Sequence, residues 1–528
     1  MGVVTSGSSA LTLKLALYLE AMEEQSLRSM KKMGKAKEKT QIGCQSIISG
    51  IDDLGDDLMQ NILSRLPALY FASAACVSRS WNSLCNRILS YPKLSSAVSF
   101  NRYLQNAVNE VVDKVLLEPI RPHFALVSIG PALAYKQLSN WIPVIINVSE
   151  GVIGKDVRKD HFVEVQWEVT EEQETYDAIL PDDYVNRGII LTVGFLPGLK
   201  AHIVPLLFQN KGPRSLLADE FVMDIREAAS AVSDSASPAG IILFADPKTD
   251  IKPVLQKIVA LLFARDRNKP LGIGETQFHV MLSTGVSPVG QAYKAVSVKC
   301  NKTSTWLTAS RETVRENLDG QAILEDIYDE LGDRIQYPAF YIGVTKRRRC
   351  LVGMERVRRM QFLEFHEVLG GDEEYLFVDS VGITTADPFR FYISDSKAAL
   401  ASCNKVSDSL RHLKLDSDCK NDHVSGGVGD CDKRKVFGGI IFSCCGRGES
   451  FFGRPGIDSA PFLNNFPGVT FGERIVLAKS DFVLSISFIV SHGNTLGGPF
   501  GCNLNDVDEV VCGRRNVAVK MKYPLKDW

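Results

Sequence analysis

No apolar stretch in this chain reaches the ~20 residues that a membrane-spanning helix needs. Net charge is slight, −2 from 60 Lys and Arg against 62 Asp and Glu, so the basic excess of a dedicated nucleic-acid binder is missing. The chain has no Walker loop, no G-x-S-x-G nucleophile elbow and no H-E-x-x-H zinc helix, so three common catalytic signatures are missing. Leucine-rich blocks recurring at a period of roughly 20–29 residues are also not evident. The 12 cysteines are irregularly spread and do not form a disulfide framework, which points to a reducing cytoplasmic or nuclear setting. A secretory leader is not expected either. The amphipathic run Leu11–Met22 precedes its basic residues (Arg28, Lys31, Lys32, Lys35, Lys37, Lys39), the reverse of a signal peptide. Met1-Gly2 with Ser6 meets the bare myristoylation pattern. Residues 1–44 otherwise read as a disordered basic leader.

The composition that is present, 45% hydrophobic and 23% charged over 528 residues, is ordinary for a globular protein of about three domains. The most informative stretch is Ile51 to Ser90. Leu58, Ile62, Leu63 and Leu66 make one apolar stripe on a short helix, which Pro67 ends because it has no N–H to donate. Ala74, Val77, Trp81, Leu84 and Ile88 recur every three or four residues and predict a second helix beyond a small turn around Cys76 and Val77. Asp52, Asp53, Asp56 and Asp57 sit where acidic groups suit a helix N-terminus. Tyr91-Pro92 marks the exit from this segment.

This stretch resembles the F-box. The resemblance lies in Leu54, Asp57-Leu58, Ile62-Leu63, Leu66-Pro67, Ala75-Cys76-Val77-Ser78 and Trp81, with Gly55 standing where the family usually has proline. It implies docking onto a Skp-type adaptor, and through it onto a cullin–RING ubiquitin ligase. The adaptor-binding residues would be Leu54, Asp57, Leu58, Ile62, Leu63, Leu66, Pro67, Val77 and Trp81.

Beyond Arg121 the periodicity becomes strand-like. His123–Ile129, Trp141–Val148, His161–Val169, Gly188–Leu196 and Gly240–Ala245 read as strands. Lys252–Arg265 reads as a helix with Val254, Leu255, Ile258, Val259, Leu261 and Leu262 on one face. Strands alternating with helices predict a mixed α/β body with a large sheet. Three stretches resemble the FIST (F-box and intracellular signal transduction) module: Gly188–Lys200 with Pro205-Leu206-Leu207, then Tyr337-Pro338 with Tyr341–Val344, and Gly438–Gly448. An F-box followed by this module is the arrangement of a mammalian F-box/FIST family, and the chain is read as a plant-type relative. Phe466–Ile475 keeps Gly472-Glu473 but only an abridged form of the aromatic approach usual in the module.

Three clusters carry chemistry. Phe442, Cys444, Gly446, Arg447, Gly448 and Glu473 are the candidate ligand or substrate contacts, since exposed backbone N–H groups and an arginine bind carboxylates. Cysteine beside a glycine turn is also a small core residue, and that structural alternative stands beside it. Cys403, His412, Cys419, His423 and Cys431 offer only one close pair, too little for a zinc shell, so no metal is expected. Lys346–Arg349 with Arg356, Arg358 and Arg359 is the densest basic cluster. It reads as a solvated hairpin, with a nuclear localisation signal or a substrate-facing patch as alternatives.

The expected fold class is α+β and multidomain: a small all-α F-box, then a two-part mixed α/β FIST-like body. Boundaries are set at 1–44 for the leader, 45–95 for the F-box, 121–335 and 336–480 for the two halves, with 405–435 a polar loop, and 481–528 for a C-terminal segment. Residues from Arg121 onward are expected to fold without the F-box. The expected function is non-catalytic and needs no cofactor: substrate recognition in an SCF-type ubiquitin ligase, in the cytoplasm, the nucleus or both. The alternative is a sensor of small, amino-acid-type ligands, and a third reading is a nuclear adaptor with a silent F-box.

Overall fold

A computed structural model describes residues 54–130, 144–167, 188–208, 214–233, 238–245, 256–268, 274–301, 304–311, 317–332, 340–350, 358–379, 382–418, 435–476, 484–493, 510–512 and 519–521. The leader, Met1-Gly2, Tyr337-Pro338, Arg356, Cys419, His423 and Cys431 lie outside them.

The described residues open on helices α1 (Asp56–Ser64), α2 (Ala68–Ala74) and α3 (Arg79–Leu89), then β1 (Lys93–Ser99) and α4 (Leu104–Val115). Strands β2 (Phe124–Ile129), β3 (Val144–Val148), β4 (Gly151–Lys155), β5 (Phe162–Gln166), β6 (Ile189–Phe195) and β7 (Leu199–Phe208) follow. Next come α5 (Arg214–Val232), β8 (Gly240–Ala245), β9 (Gln256–Arg265), β10 (Glu275–Thr284), β11 (Val286–Cys300), β12 (Thr305–Arg311) and β13 (Asn317–Leu318). After α6 (Gly320–Leu331) run β14 (Phe340–Cys350), β15 (Arg358–Gly371), β16 (Leu376–Val378) and β17 (Pro388–Ser394). The last part holds α7 (Ser396–Asp418), β18 (Lys435–Cys444), α8 (Glu449–Phe452), α9 (Ala460–Asn465), β19 (Thr470–Val476), β20 (Leu484–Gly493), β21 (Val510–Cys512) and β22 (Val519–Met521).

The described residues form four sheets, ordered β1-β6-β2-β3, β10-β20-β18-β19-β4-β5, β11-β17-β14-β15-β16-β12-β13 with β21 also on β15, and β22-β8-β9-β7. The expected helix at Lys252–Arg265 is strand β9. Its apolar run is continuous because both faces are covered: Leu261 and Phe263 join a core with Phe442 and Val490, while Leu262 packs with Ile225 and Ala229 of α5. Short apolar runs of this kind read alike as buried strand or buried helix. The polar stretch expected as a loop from Lys405 is helical as far as Asp418, part of α7, which buries its own Val406 and Leu410.

The expected halves do not exist as consecutive blocks. β4 pairs β19 antiparallel, so residues near 153 and near 473 belong to one sheet. β20, assigned to a separate C-terminal segment, lies between β10 and β18. The body also begins before Arg121. β1 pairs with β6 along its whole length, from Lys93↔Phe195 to Ser99↔Ile189. α4 buries Ala107, Val108, Val111, Val112 and Val115 on the same sheet. Leu94 of β1 reaches the second sheet, where any Cβ at Gly438 would overlap its side chain, so glycine there permits the close approach.

A fragment starting at Lys93 is expected to unfold cooperatively in a thermal melt followed by circular dichroism. One starting at Arg121 loses an edge strand and the α4 cover, and is expected to be molten or insoluble. A sharp melt from the shorter fragment would contradict this assignment of β1 and α4.

Candidate adaptor-docking surface

Helices α1, α2 and α3 close on a small core of Met59, Leu63, Phe71, Ala74, Leu84, Cys85 and Leu89. The second predicted helix is two, α2 and α3, with Ala75–Val77 as the turn between them. Pro67 caps α2 at its start, where the missing N–H costs nothing. Ser78 starts α3: its Oγ accepts from the Trp81 N–H at 3.1 Å. Asn82 Nδ2 donates to the Ala75 carbonyl at 3.0 Å and fixes the turn.

The stripe on α1 divides between two faces. Met59 and Leu63 point inward, Leu63 being 1% exposed, whereas Leu58 and Ile62 stay 52% and 39% exposed. Leu63 is therefore a core residue, not a surface contact, and Leu54, Leu66 and Trp81 are half-buried against the same core. Asp57 is exposed, Pro67 is half-buried, and Val77 is 64% exposed. Leu69 and Tyr70 on α2, 68% and 64% exposed, escaped the sequence reading. Their flanking positions Ala68, Phe71 and Ala72 are buried, and that inward face was the signal for them. Five large apolar side chains thus face water from three short elements, more than isolated surface residues account for. Gly55 precedes α1 at φ −58, ψ 152, within proline's own φ range, so the departure from the family residue leaves the geometry intact.

The hairpin meets the body at few points. The Ala68 N–H donates to the Leu116 carbonyl at 2.9 Å. On the body side of this junction, Lys93 Nζ at the start of β1 donates to the Pro119 carbonyl at 3.2 Å and pairs with Glu118 at 2.6 Å. A polar cleft of about 630 Å³ lies at this junction, lined by Gln60, Asn61, Arg65, Tyr91 and Arg121 among others.

The second set of expected contacts is internal. The Arg447 side chain is 0% exposed and its guanidinium bonds Asp458 at 2.6–3.0 Å, with Nη2 also reaching Ser283 Oγ at 3.0 Å and Cys403 Sγ at 3.2 Å. Ser443 Oγ donates to Asp458 Oδ2 at 2.6 Å. Burial opposes the charge on Arg447, yet its bond to Asp458 and that carboxylate's charge outweigh burial and raise its pKa. Burial, then the Asp458 charge, pushes the Cys403 thiol up to about 11, so it stays protonated. Phe442 is buried against Phe244, ring centroids 6.3 Å apart, and Cys444 is 5% exposed. The Gly446 N–H turns back to Cys444 Sγ at 3.4 Å, and Gly448 is buried. Glu473 is a β19 backbone partner of Ile441 and Ile153. Arg447, expected to meet a ligand carboxylate, meets one from its own chain eleven residues on. The turn is a structural clamp.

A helical hairpin with an inward core and an outward apolar face defines the class, an F-box protein: the F-box domain family matches residues 51–93. The chain belongs to the F-box proteins. It is 38% identical over 472 residues, 79% of this chain and 85% of the other, to F-box/LRR-repeat protein At5g63520 of Arabidopsis thaliana. That name speaks of leucine-rich repeats and not of a FIST module. The described strands here pair antiparallel except at β2–β3, β18–β19 and β15–β21, with one further isolated parallel bridge at Val98↔Asp156, unlike a solenoid of stacked parallel strands.

Asp458→Asn leaves Arg447 buried beside a neutral partner and is expected to destabilise by about 3–5 kcal/mol. Urea unfolding checks this, and a midpoint unchanged from the parent would show that the pair is dispensable. Gly55→Pro is expected to raise stability by about 0.4–1 kcal/mol by restricting the unfolded chain. A lower melting temperature would contradict the φ at that position.

Proposed function

We propose that this chain is a substrate-recognition subunit of an SCF-type cullin–RING ubiquitin ligase, acting in the cytoplasm, the nucleus or both. Its F-box docks a Skp-type adaptor through Leu58, Ile62, Leu69, Tyr70 and Val77, and its body recruits a protein for ubiquitination. The observation that carries this reading is the outward apolar face on a hairpin that already has a closed core. Large apolar side chains held in water are stabilised only by a partner, at roughly 25 cal/mol per Å² covered. No bond chemistry is required of such a subunit. It raises the effective concentration of substrate lysines beside a charged conjugating enzyme.

The FIST likeness of the body is our reading of Gly188–Lys200, Tyr341–Val344 and Gly438–Gly448, which fall on β6–β7, β14 and β18 with its turn. A small-ligand sensor would have used Arg447 as its anchor. With that guanidinium taken by Asp458, no observation favours the sensor over the receptor.

Leu58→Asp with Tyr70→Asp is expected to abolish recovery of purified Skp-type adaptor in a pull-down while leaving the melting temperature unchanged. Leu63→Asp is expected to lose adaptor as well, but by melting the hairpin, visible as lost helical signal in fragment 45–95. Equal adaptor recovery by the double variant and the parent would overturn the proposal.

A further inference from the structure

The outward side of α1 carries Leu58 and Ile62, and its polar side turns to the cleft at the joint. Asp57, Gln60, Asn61 and Arg65 line that cleft from the hairpin, at the three- and four-residue spacing of one helix face. Lys93 and Arg121 line it from the body, over an apolar floor of Leu89, Ile120 and Phe195, all buried. Its volume of about 630 Å³ falls within the range of roughly 300–1,000 Å³ typical of small-ligand sites.

Three cations and one acid line the cleft. Lys93 is occupied, held by Glu118 at 2.6 Å and by the Pro119 carbonyl. Among the described residues, neither Arg65 nor Arg121 is in an ion pair. Asp57 stands two turns before Arg65 on the same helix, about 12 Å along its axis, too far to neutralise it. The surplus charge is thus carried by two guanidiniums, one on the hairpin and one on the body. Like charges across a joint this lightly held favour its opening, and an anion between them reverses that. Gln60 and Asn61 each add an amide that both donates and accepts.

We propose that this cleft binds a small organic anion and that the bound molecule ties the hairpin to the body. Arg65 and Arg121 hold its phosphate or carboxylate groups, which the planar fork of arginine matches bidentately. Gln60 and Asn61 hold hydroxyl or amide groups on the rest of the molecule. Such a site goes beyond the receptor reading above and does not depend on what the body recruits.

Isothermal titration calorimetry of the full chain, without adaptor, tests this with glycerol 3-phosphate, citrate, inorganic phosphate and glycerol. Glycerol 3-phosphate or citrate, according to which anionic group the site prefers, is expected to bind below about 1 mM and more tightly than inorganic phosphate. Glycerol is expected to give no heat. Arg65→Ala and Arg121→Ala are each expected to weaken that binding about tenfold, the loss of one charge-assisted hydrogen bond. Both side chains are exposed, so neither change removes core packing. Arg87→Ala, on α3 and outside the cleft lining, is the charge-matched control and is expected to bind as the parent does. In hydrogen exchange, the tighter probe is expected to slow amides of residues 60–65 and of Arg121 together. No binding by either organic anion would overturn the proposal, and protection on one side only would refute the tie. Inorganic phosphate binding as tightly as both would mean an adventitious ion only, and an equal loss in Arg87→Ala would mean unspecific surface charge; either result overturns the site. Because no adaptor is present, failure here leaves the ubiquitin-ligase reading standing.

Discussion

The antiparallel pairing of β1 with β6 is the constraint on which the arrangement of this protein depends. Only Ser90, Tyr91 and Pro92 separate the end of α3 from the start of β1, and from Lys93 the chain is committed to a sheet ladder. A hairpin this small owns little core, and its outward apolar face adds nothing to its own stability. Joining it to a sheet strand by three residues, one of them proline, leaves little slack between the outward apolar face and the body. For a receptor that works by proximity, short and stiff connection is what sets effective concentration.

Within the body, the same economy recurs as interleaving. Strands distant in sequence share sheets, and the clamp of Arg447 on Asp458 ties β10 through Ser283, α7 through Cys403, and β18 through Ser443. A buried ion pair is weak evidence for net stability, because desolvation opposes it, but removing one partner leaves an uncompensated charge. It therefore holds these elements in one arrangement. The stacked rings of Phe462 and Phe471, 4.4 Å apart, close the layer next to it.

The sequence made some of this legible and hid the rest for physical reasons. Helix α1, the exit at Tyr91-Pro92 and strands β2, β6 and β8 follow from local periodicity, which needs no knowledge of partners. β9 could not be separated from a helix, because a strand covered on both faces loses its alternation. The interleaved sheets were invisible, since register between distant strands has no local trace. On the proposed docking surface, Leu58, Ile62 and Val77 were readable as apolar residues of an amphipathic hairpin. Which of Leu58 and Leu63 turns outward was not, because a wide stripe on a nine-residue helix spans both faces. Arg447 was read as a candidate ligand contact, whereas its partner is Asp458, which lies across a turn that no pattern marks.

Hydrogen exchange of the full chain with and without purified Skp-type adaptor tests the central claim most directly, because it reports where a partner sits without altering a residue. Slowed exchange confined to amides between Leu54 and Trp81, with β15 and the rest of the body unchanged, is the result this account requires. Unchanged exchange throughout, or protection located in the body with none on α1 and α2, would contradict it.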